Sequence, residues 1–189
     1  MKKLYLYDFD GTIIEGDSLI KFSYFSLSIP RFFKFWLLVF ILIPFYSRSD
    51  LKQMFYSNFN EFNLDDFNSL CLDFYIKKLS KSIKKSFIDF MKNINEDSKV
   101  VVVSASISNY LKPWCDEMGF DLISTELEVI DGKLTGRFST PNCNGKEKVR
   151  RIKEKYNLSE YNEIHVFGNS KGDLPMLELG THKYYKFFK

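Results

Sequence analysis

Cysteine is scarce in this chain of 189 residues, with three in all, at Cys71, Cys115 and Cys143. The number is odd and no CxxC spacing occurs. That excludes a disulfide framework or a thiolate zinc site and suits reduced thiols in a cytosolic chain. A strong charge of one sign is also missing. The formal net charge is +3, too mild to argue for a nucleic-acid partner. The lysines are dispersed except in KKLSKSIKK (77–85), which reads as the solvated face of a helix. Long apolar runs are absent as well: the uncharged stretch Phe35–Tyr46 is about a dozen residues, against roughly 20 for a membrane-spanning helix. After Met1-Lys2-Lys3 the apolar run ends within four residues, so no signal peptide is expected. No internal repeat or low-complexity segment stands out.

What the chain does have is a hydrophobic fraction of 45%, enough for one domain with a full core, or a core with a small insert. Three apolar runs close on polar residues: LYLYDFD from Leu4, KVVVVSAS (99–106) and EIHVFGNS (163–170). Each reads as a buried strand of a parallel sheet. Helical patterns follow the second run (ISNYLKPWCDEMG) and precede the third (GKEKVRRIKEKYN), which points to an α/β sheet with helices on both faces. Ligands of such sheets bind beyond the carboxyl ends of the strands. Asp8 and Asp10, Ser104, and Asn169 with Asp173 all fall at those ends. Two carboxylates one residue apart resist ionising together, so a cation or a shared proton is expected beside them.

Residues 16–95 differ from their surroundings, being rich in Phe, Leu, Ile, Lys and Ser at helical spacing. They read as an all-helical insert between the first two strands, with Asp17 or Ser18 capping its first helix. Asp131-Gly132 between two alternating segments (126–138) predicts a β-hairpin, and HKYYKFFK is expected to supply a last edge strand. The expected architecture is therefore a Rossmann-like core of 1–15 and 96–189, a helical cap of 16–95 and a hairpin flap.

In this order, DFDGT (8–12), VVVSAS (101–106), Lys146 in NGKEKV and FGNSKGDLPML (167–177) resemble the haloacid dehalogenase superfamily of hydrolases, in its phosphoserine phosphatase-like branch. The resemblance covers nearly the whole chain. It implies a Mg2+-dependent phosphatase acting on a phosphate monoester, with Asp8 as nucleophile and Asp10 as general acid and base. Phe9, Gly11, Ser104, Ala105 and Lys146 are the implied phosphate-binding residues, and Asp8, Asp10, Asn169 and Asp173 the implied metal set. Chemistry agrees with these roles: a carboxylate nucleophile splits one hard displacement into two, and a cation relieves the crowding of the acids. A lysine at a helix start sits poorly against the helix dipole unless an anion is near, which favours Lys146. The family usually carries Asp where this chain has Asn169, so weaker metal binding is expected here. An EF-hand is excluded, because its sixth and twelfth positions would be Ile13 and Leu19. Halide displacement is excluded by Asp10, for which it has no use.

In the apolar stretch IPRFFKFWLLVFILIPFY (29–46), the uncharged core Phe35–Tyr46 is flanked by Arg31, Lys34 and Arg48, and aromatic residues crowd the ends. Such a pattern suits either a helix packed inside the cap or one lying at a bilayer interface. The branch also includes phosphatidylglycerophosphate phosphatases with apolar inserts. An amphiphilic or lipid phosphate is thus the expected substrate, with peripheral membrane contact through the cap and a location in the cytoplasm or at the inner membrane face. The alternatives are a phosphatase of a small metabolite such as phosphoserine, a phosphotransferase, and a non-catalytic membrane-peripheral binding module. Glu15 and Asp17 could meet the amine of phosphoserine, but no partner for its carboxylate is evident.

Overall fold

The computed structural model describes residues 2–95 and 97–189. The chain runs through strand β1 (Lys3–Tyr7), then helices α1 (Ser18–Ser26), α2 (Ile29–Leu42), α3 (Arg48–Tyr56), α4 (Leu64–Phe74) and α5 (Lys85–Met91). After these come β2 (Lys99–Ile107), α6 (Ser108–Glu117), β3 (Asp121–Thr125) and the hairpin β4 (Leu127–Ile130) and β5 (Lys133–Phe138). The last elements are α7 (Lys146–Lys155), β6 (Glu163–Gly168), α8 (Leu174–Leu177) and β7 (His182–Tyr185).

Five strands form one sheet in the order β3-β2-β1-β6-β7, every pair parallel. The expected α/β core is therefore present, and β7 is the expected edge strand. β3 was not foreseen: Asp121, Ser124 and Thr125 dilute its apolar pattern. β1 lies at the centre, with Tyr7 opposite Val102 on one side and Phe167 on the other. The chain turns to opposite sides of β1 for β2 and β6, and such a reversal opens a crevice at the carboxyl end of the central strand.

Alternation along the strands sorts side chains to the two faces. Leu4, Leu6, Val101, Val103, Ile164 and Val166 pack with Ile152 of α7 and Met176 of α8. Tyr5, Tyr7, Val100, Val102 and Phe167 face the other way, with Phe87 of α5 and Trp114 of α6. Helices thus cover both faces, and burial on both sides explains the unbroken apolar runs. Within the expected insert, α5 lies on the sheet: Phe87 meets Tyr7 edge-on at 5.3 Å and Phe90 meets Phe167 at 5.4 Å. The expected boundary residues 1 and 96 lie outside the described residues.

The other insert helices gather around an aromatic core. Phe22, fully buried, has Phe55, Phe59, Phe67, Phe74 and Tyr110 around it at ring distances of 5.2–6.0 Å. Asp17 caps α1 by accepting from the amides of Leu19 and Ile20, and α2 ends just before Pro44, which cannot continue a helix. The hairpin turns at Asp131-Gly132 as expected, both with positive φ. It is joined to the α3–α4 connection by main-chain hydrogen bonds: Glu61 N to Leu134 O, Leu134 N to Phe62 O and Leu64 N to Gly132 O.

At Gly136 the hairpin backbone also passes close to that connection. The glycine's φ is +73°, and a Cβ there would lie 2.7 Å from Ser57 Cα. Gly136→Ala combines left-handed strain with overpacking against backbone, so a loss of about 2–4 kcal/mol is expected. Urea unfolding checks it; an unchanged midpoint would show that the flap is not anchored there.

Candidate active site

Asp8 follows β1 directly, its amide donating to Phe167 O at 2.9 Å, so the central strand aims its carboxylate at the sheet's open end. One oxygen, Oδ1, accepts from Lys148 Nζ at 2.6 Å and the other, Oδ2, from Thr12 Oγ1 at 3.1 Å. Lys148 Nζ also donates to Asp173 Oδ1 at 2.7 Å and to Val103 O at 2.8 Å. An ammonium has three protons to give, and all three are used. Lys148 is 1% exposed, and a lysine is buried so deeply only when paired.

Burial drives the Asp8 carboxyl up to about 6; the Lys148 charge opposes it, while the charges of Asp173 and Asp10 add to it. Burial alone would lower the pKa of Lys148, but Asp8 and Asp173 together raise it. Asp173 is also buried, yet Lys148 and the hydrogen bonds from Ser170 hold its carboxyl below the usual range. Near neutral pH all three therefore carry charge. The second oxygen of Asp173 accepts from Asn169 N (3.2 Å), Ser170 N (2.9 Å) and Ser170 Oγ (2.7 Å), which ties down the loop after β6.

Asp10 faces the cap. Its Oδ1 accepts from Ser18 N at 2.6 Å and its Oδ2 from Ser106 Oγ at 2.6 Å. Ser18 Oγ in turn lies 2.9 Å from Ser106 Oγ and 3.1 Å from Tyr110 OH. Burial, with the charge of Asp17, raises the Asp10 carboxyl above its ordinary value against the opposing charge of Lys52 and the Ser106 and Ser18 hydrogen bonds. Lys52 reaches from α3 to Ala105 O at 3.1 Å, a second link from cap to core.

These groups form the floor of a cavity of about 830 Å3 lined by Asp8, Asp10, Gly11, Ala105, Lys148, Asn169 and Asp173. Its opposite wall is apolar and comes from the first two cap helices and the turn after them, chiefly Leu19, Phe35, Trp36, Val39, Ile43 and Tyr46. Arg48 and Lys52 add cationic groups to it. Gly11 is required where it stands: its φ is +72°, and a Cβ would fall 1.9 Å from the Asn169 side-chain nitrogen.

Sequence reasoning placed Asp8, Asp10, Gly11, Ala105, Asn169 and Asp173 together, and they line one cavity. It placed Lys146 there too, and the structure corrects this: Lys146 stands exposed at the first turn of α7, and Lys148 reaches the acids. A helical signal could have found it. Lys148 shares a face with Ile152 at i, i+4, the two buried residues of α7, whereas Lys146 shares its face with Arg150. Ser104 is buried just beneath the cavity, its Oγ accepting from Ser106 N at 3.1 Å. Phe9 turns its ring into the core against Trp114, 5.5 Å away, and only its backbone can serve the site. The carboxylate of Asp10, included in the expected metal set, already has both oxygens engaged by Ser18 and Ser106. Thr12, Ser18, Lys52 and Ser106 were not foreseen.

The profile of the haloacid dehalogenase-like hydrolases matches residues 5–178, and the chain belongs to that family. Among curated proteins it is similar to Protein CicA of Caulobacter vibrioides, at 33% identity over 94 residues, which is 49% of this chain and 42% of that protein. The matched stretch thus spans less than half the length of that relative. A Bordetella pertussis protein of unknown function shares the fold, with a TM-score of 0.86 at 18% identity over 96% of this chain and 88% of that one. A phosphoserine phosphatase solved as a phospho-aspartyl intermediate analogue aligns with a TM-score of 0.67 at 17% identity, over 95% of this chain and 83% of that one.

Removing Lys148 leaves two buried carboxylates facing each other. Lys148→Met should cost about 3–5 kcal/mol of stability, whereas Lys146→Met on the surface should stay within about 0.5 kcal/mol. Denaturant unfolding in EDTA compares them; equal midpoints would contradict the pairing.

Proposed function

We propose that this chain is a Mg2+-dependent phosphatase that hydrolyses an amphiphilic phosphate monoester through an aspartyl-phosphate on Asp8. The observation that carries this reading is the division of labour between two neighbouring acids. Burial raises both carboxyls, but Asp8 is fixed by the Lys148 ammonium at the end of the central strand, while Asp10 is held apart in a network of hydroxyls with no ammonium in contact among the described residues. A cationic partner on one acid and neutral partners on the other suit the first to nucleophilic attack and the second to proton transfer.

In the first step an Asp8 oxygen forms a bond to phosphorus as the bond from phosphorus to the ester oxygen breaks, and Asp10 gives its proton to the departing alkoxide. In the second, Asp10 takes a proton from water, whose oxygen bonds to phosphorus as the Asp8–phosphorus bond breaks. Inorganic phosphate leaves and both acids return to their starting states. Lys148 keeps Asp8 ionised and positioned through both steps, and main-chain amides around Gly11 and Ala105, which line the cavity, would meet phosphoryl oxygens.

The Lys148 ammonium pairs with Asp8 and Asp173, Asp10 lines the same floor, and the Asn169 amide beside them offers an oxygen that is also a hard donor. This set suits a small hard dication. Asp8 and Asn169 would hold Mg2+ directly, with Asp173 contributing its charge from behind. Bound there, the ion would neutralise charge on the phosphoryl oxygens. The apolar wall of Phe35, Trp36, Val39 and Ile43 supports a substrate that carries a hydrocarbon portion next to its phosphate.

Hydrolysis of a chromogenic phosphate monoester tests the reading. Turnover should require Mg2+ and disappear in EDTA. Asp8→Asn should lose about 10^4-fold or more, and Asp10→Asn about 10^2- to 10^4-fold. Full activity of Asp8→Asn would rule out the covalent route. Asn169→Asp adds a negative charge at the proposed metal site, so the Mg2+ concentration for half-maximal activity should fall; a rise would remove Asn169 from the metal set.

A further inference from the structure

Apart from Arg31 and Lys34, helix α2 is apolar on both its inner and outer faces, yet only the inner face is covered. Phe35 and Val39 face inward and, with Trp36, form part of the cavity wall. On the other side Ile29, Phe33, Leu37, Phe40 and Ile41 follow helical spacing and stay exposed, Phe33 at 64%, Leu37 at 63% and Phe40 at 75%. Phe45, in the turn after the helix, is 79% exposed. A continuous exposed apolar patch marks a surface that meets something.

The charges on this segment indicate what it meets. From Ser18 to Ser49 the chain contains no Asp or Glu, while Lys21, Arg31, Lys34 and Arg48 all fall within it. Among the described residues none of these four forms an ion pair. A second copy packed symmetrically on this face would set these cations against one another, and the segment itself supplies no acid to offset them. A bilayer with anionic headgroups meets both needs at once, taking the apolar stripe into its acyl boundary and the cations among its phosphates. Crossing the bilayer is excluded for α2, since its 14 residues fall short of a span and no described helix is long and apolar enough for one.

We infer that the outer face of α2 docks on an anionic lipid bilayer, with the helix lying in the plane of the interface. The opposite face of the same helix walls the cavity, so docking brings that apolar wall within one helix diameter of the membrane surface, about 10 Å. The consequence for substrate capture rests on the phosphatase reading; the docking itself does not.

Flotation with phosphatidylcholine vesicles, with and without phosphatidylglycerol, tests the inference on the full chain. Wild-type protein and the Asp8→Asn variant should float equally with the anionic vesicles, and binding should fall as salt is raised. The triple change Phe33→Ser, Leu37→Ser, Phe40→Ser should weaken binding at least about tenfold, while turnover of a soluble ester, which also reports folding, stays at the wild-type level. Arg31→Glu with Lys34→Glu should remove the preference for anionic lipid. No flotation with either vesicle, or flotation unaffected by the triple change, would overturn the proposal. So would concentration-dependent self-association in buffer that the triple change abolishes. Vesicle binding without any ester hydrolysis would leave the docking standing and defeat the phosphatase reading.

Discussion

One ammonium group holds this site together. Lys148 sits between Asp8 at the end of the first strand and Asp173 in the loop after the sixth, and adds a bond to the carbonyl of Val103 in the second. Three segments far apart in sequence thus meet on a single nitrogen, at the point where the chain leaves the central strand in both directions. A buried ion pair of this kind is not in itself a large source of stability, because its desolvation offsets much of its attraction. Its effect is to fix geometry: with every proton of the ammonium committed, neither carboxylate can turn without breaking a charged hydrogen bond.

Asp10 ties the site to the cap in a comparable way. Its two oxygens bind Ser18 at the start of the first cap helix and Ser106 at the end of the second strand, and Tyr110 closes the network from below. The position of the proposed proton donor is therefore set jointly by cap and core. Lys52 reinforces that junction through Ala105.

How much of this could be read from the sequence depended on how local each signal was. Strands buried on both faces leave continuous apolar runs, so β1, β2 and β6 were legible, as were the acids at their ends. Asp131-Gly132 specified the hairpin, because two positive φ angles are what that turn requires. β3 was lost because polar residues break its pattern. Lys146 was favoured over Lys148 by proximity to a glycine, whereas the buried row of Lys148 and Ile152 gave the better answer. The Ser18–Ser106–Tyr110 network joins residues 88 and 92 positions apart, and no local pattern announces such a meeting. The placement of α5 on the sheet was equally hidden, since helical periodicity says that a face is covered but not by which element.

The flap and the cap helices are not independent parts. Glu61, Phe62 and Leu64 exchange main-chain hydrogen bonds with Gly132 and Leu134, so the hairpin is stitched to helices that precede it by some seventy residues. Widening the entrance must either swing both as one rigid piece or unpick that seam.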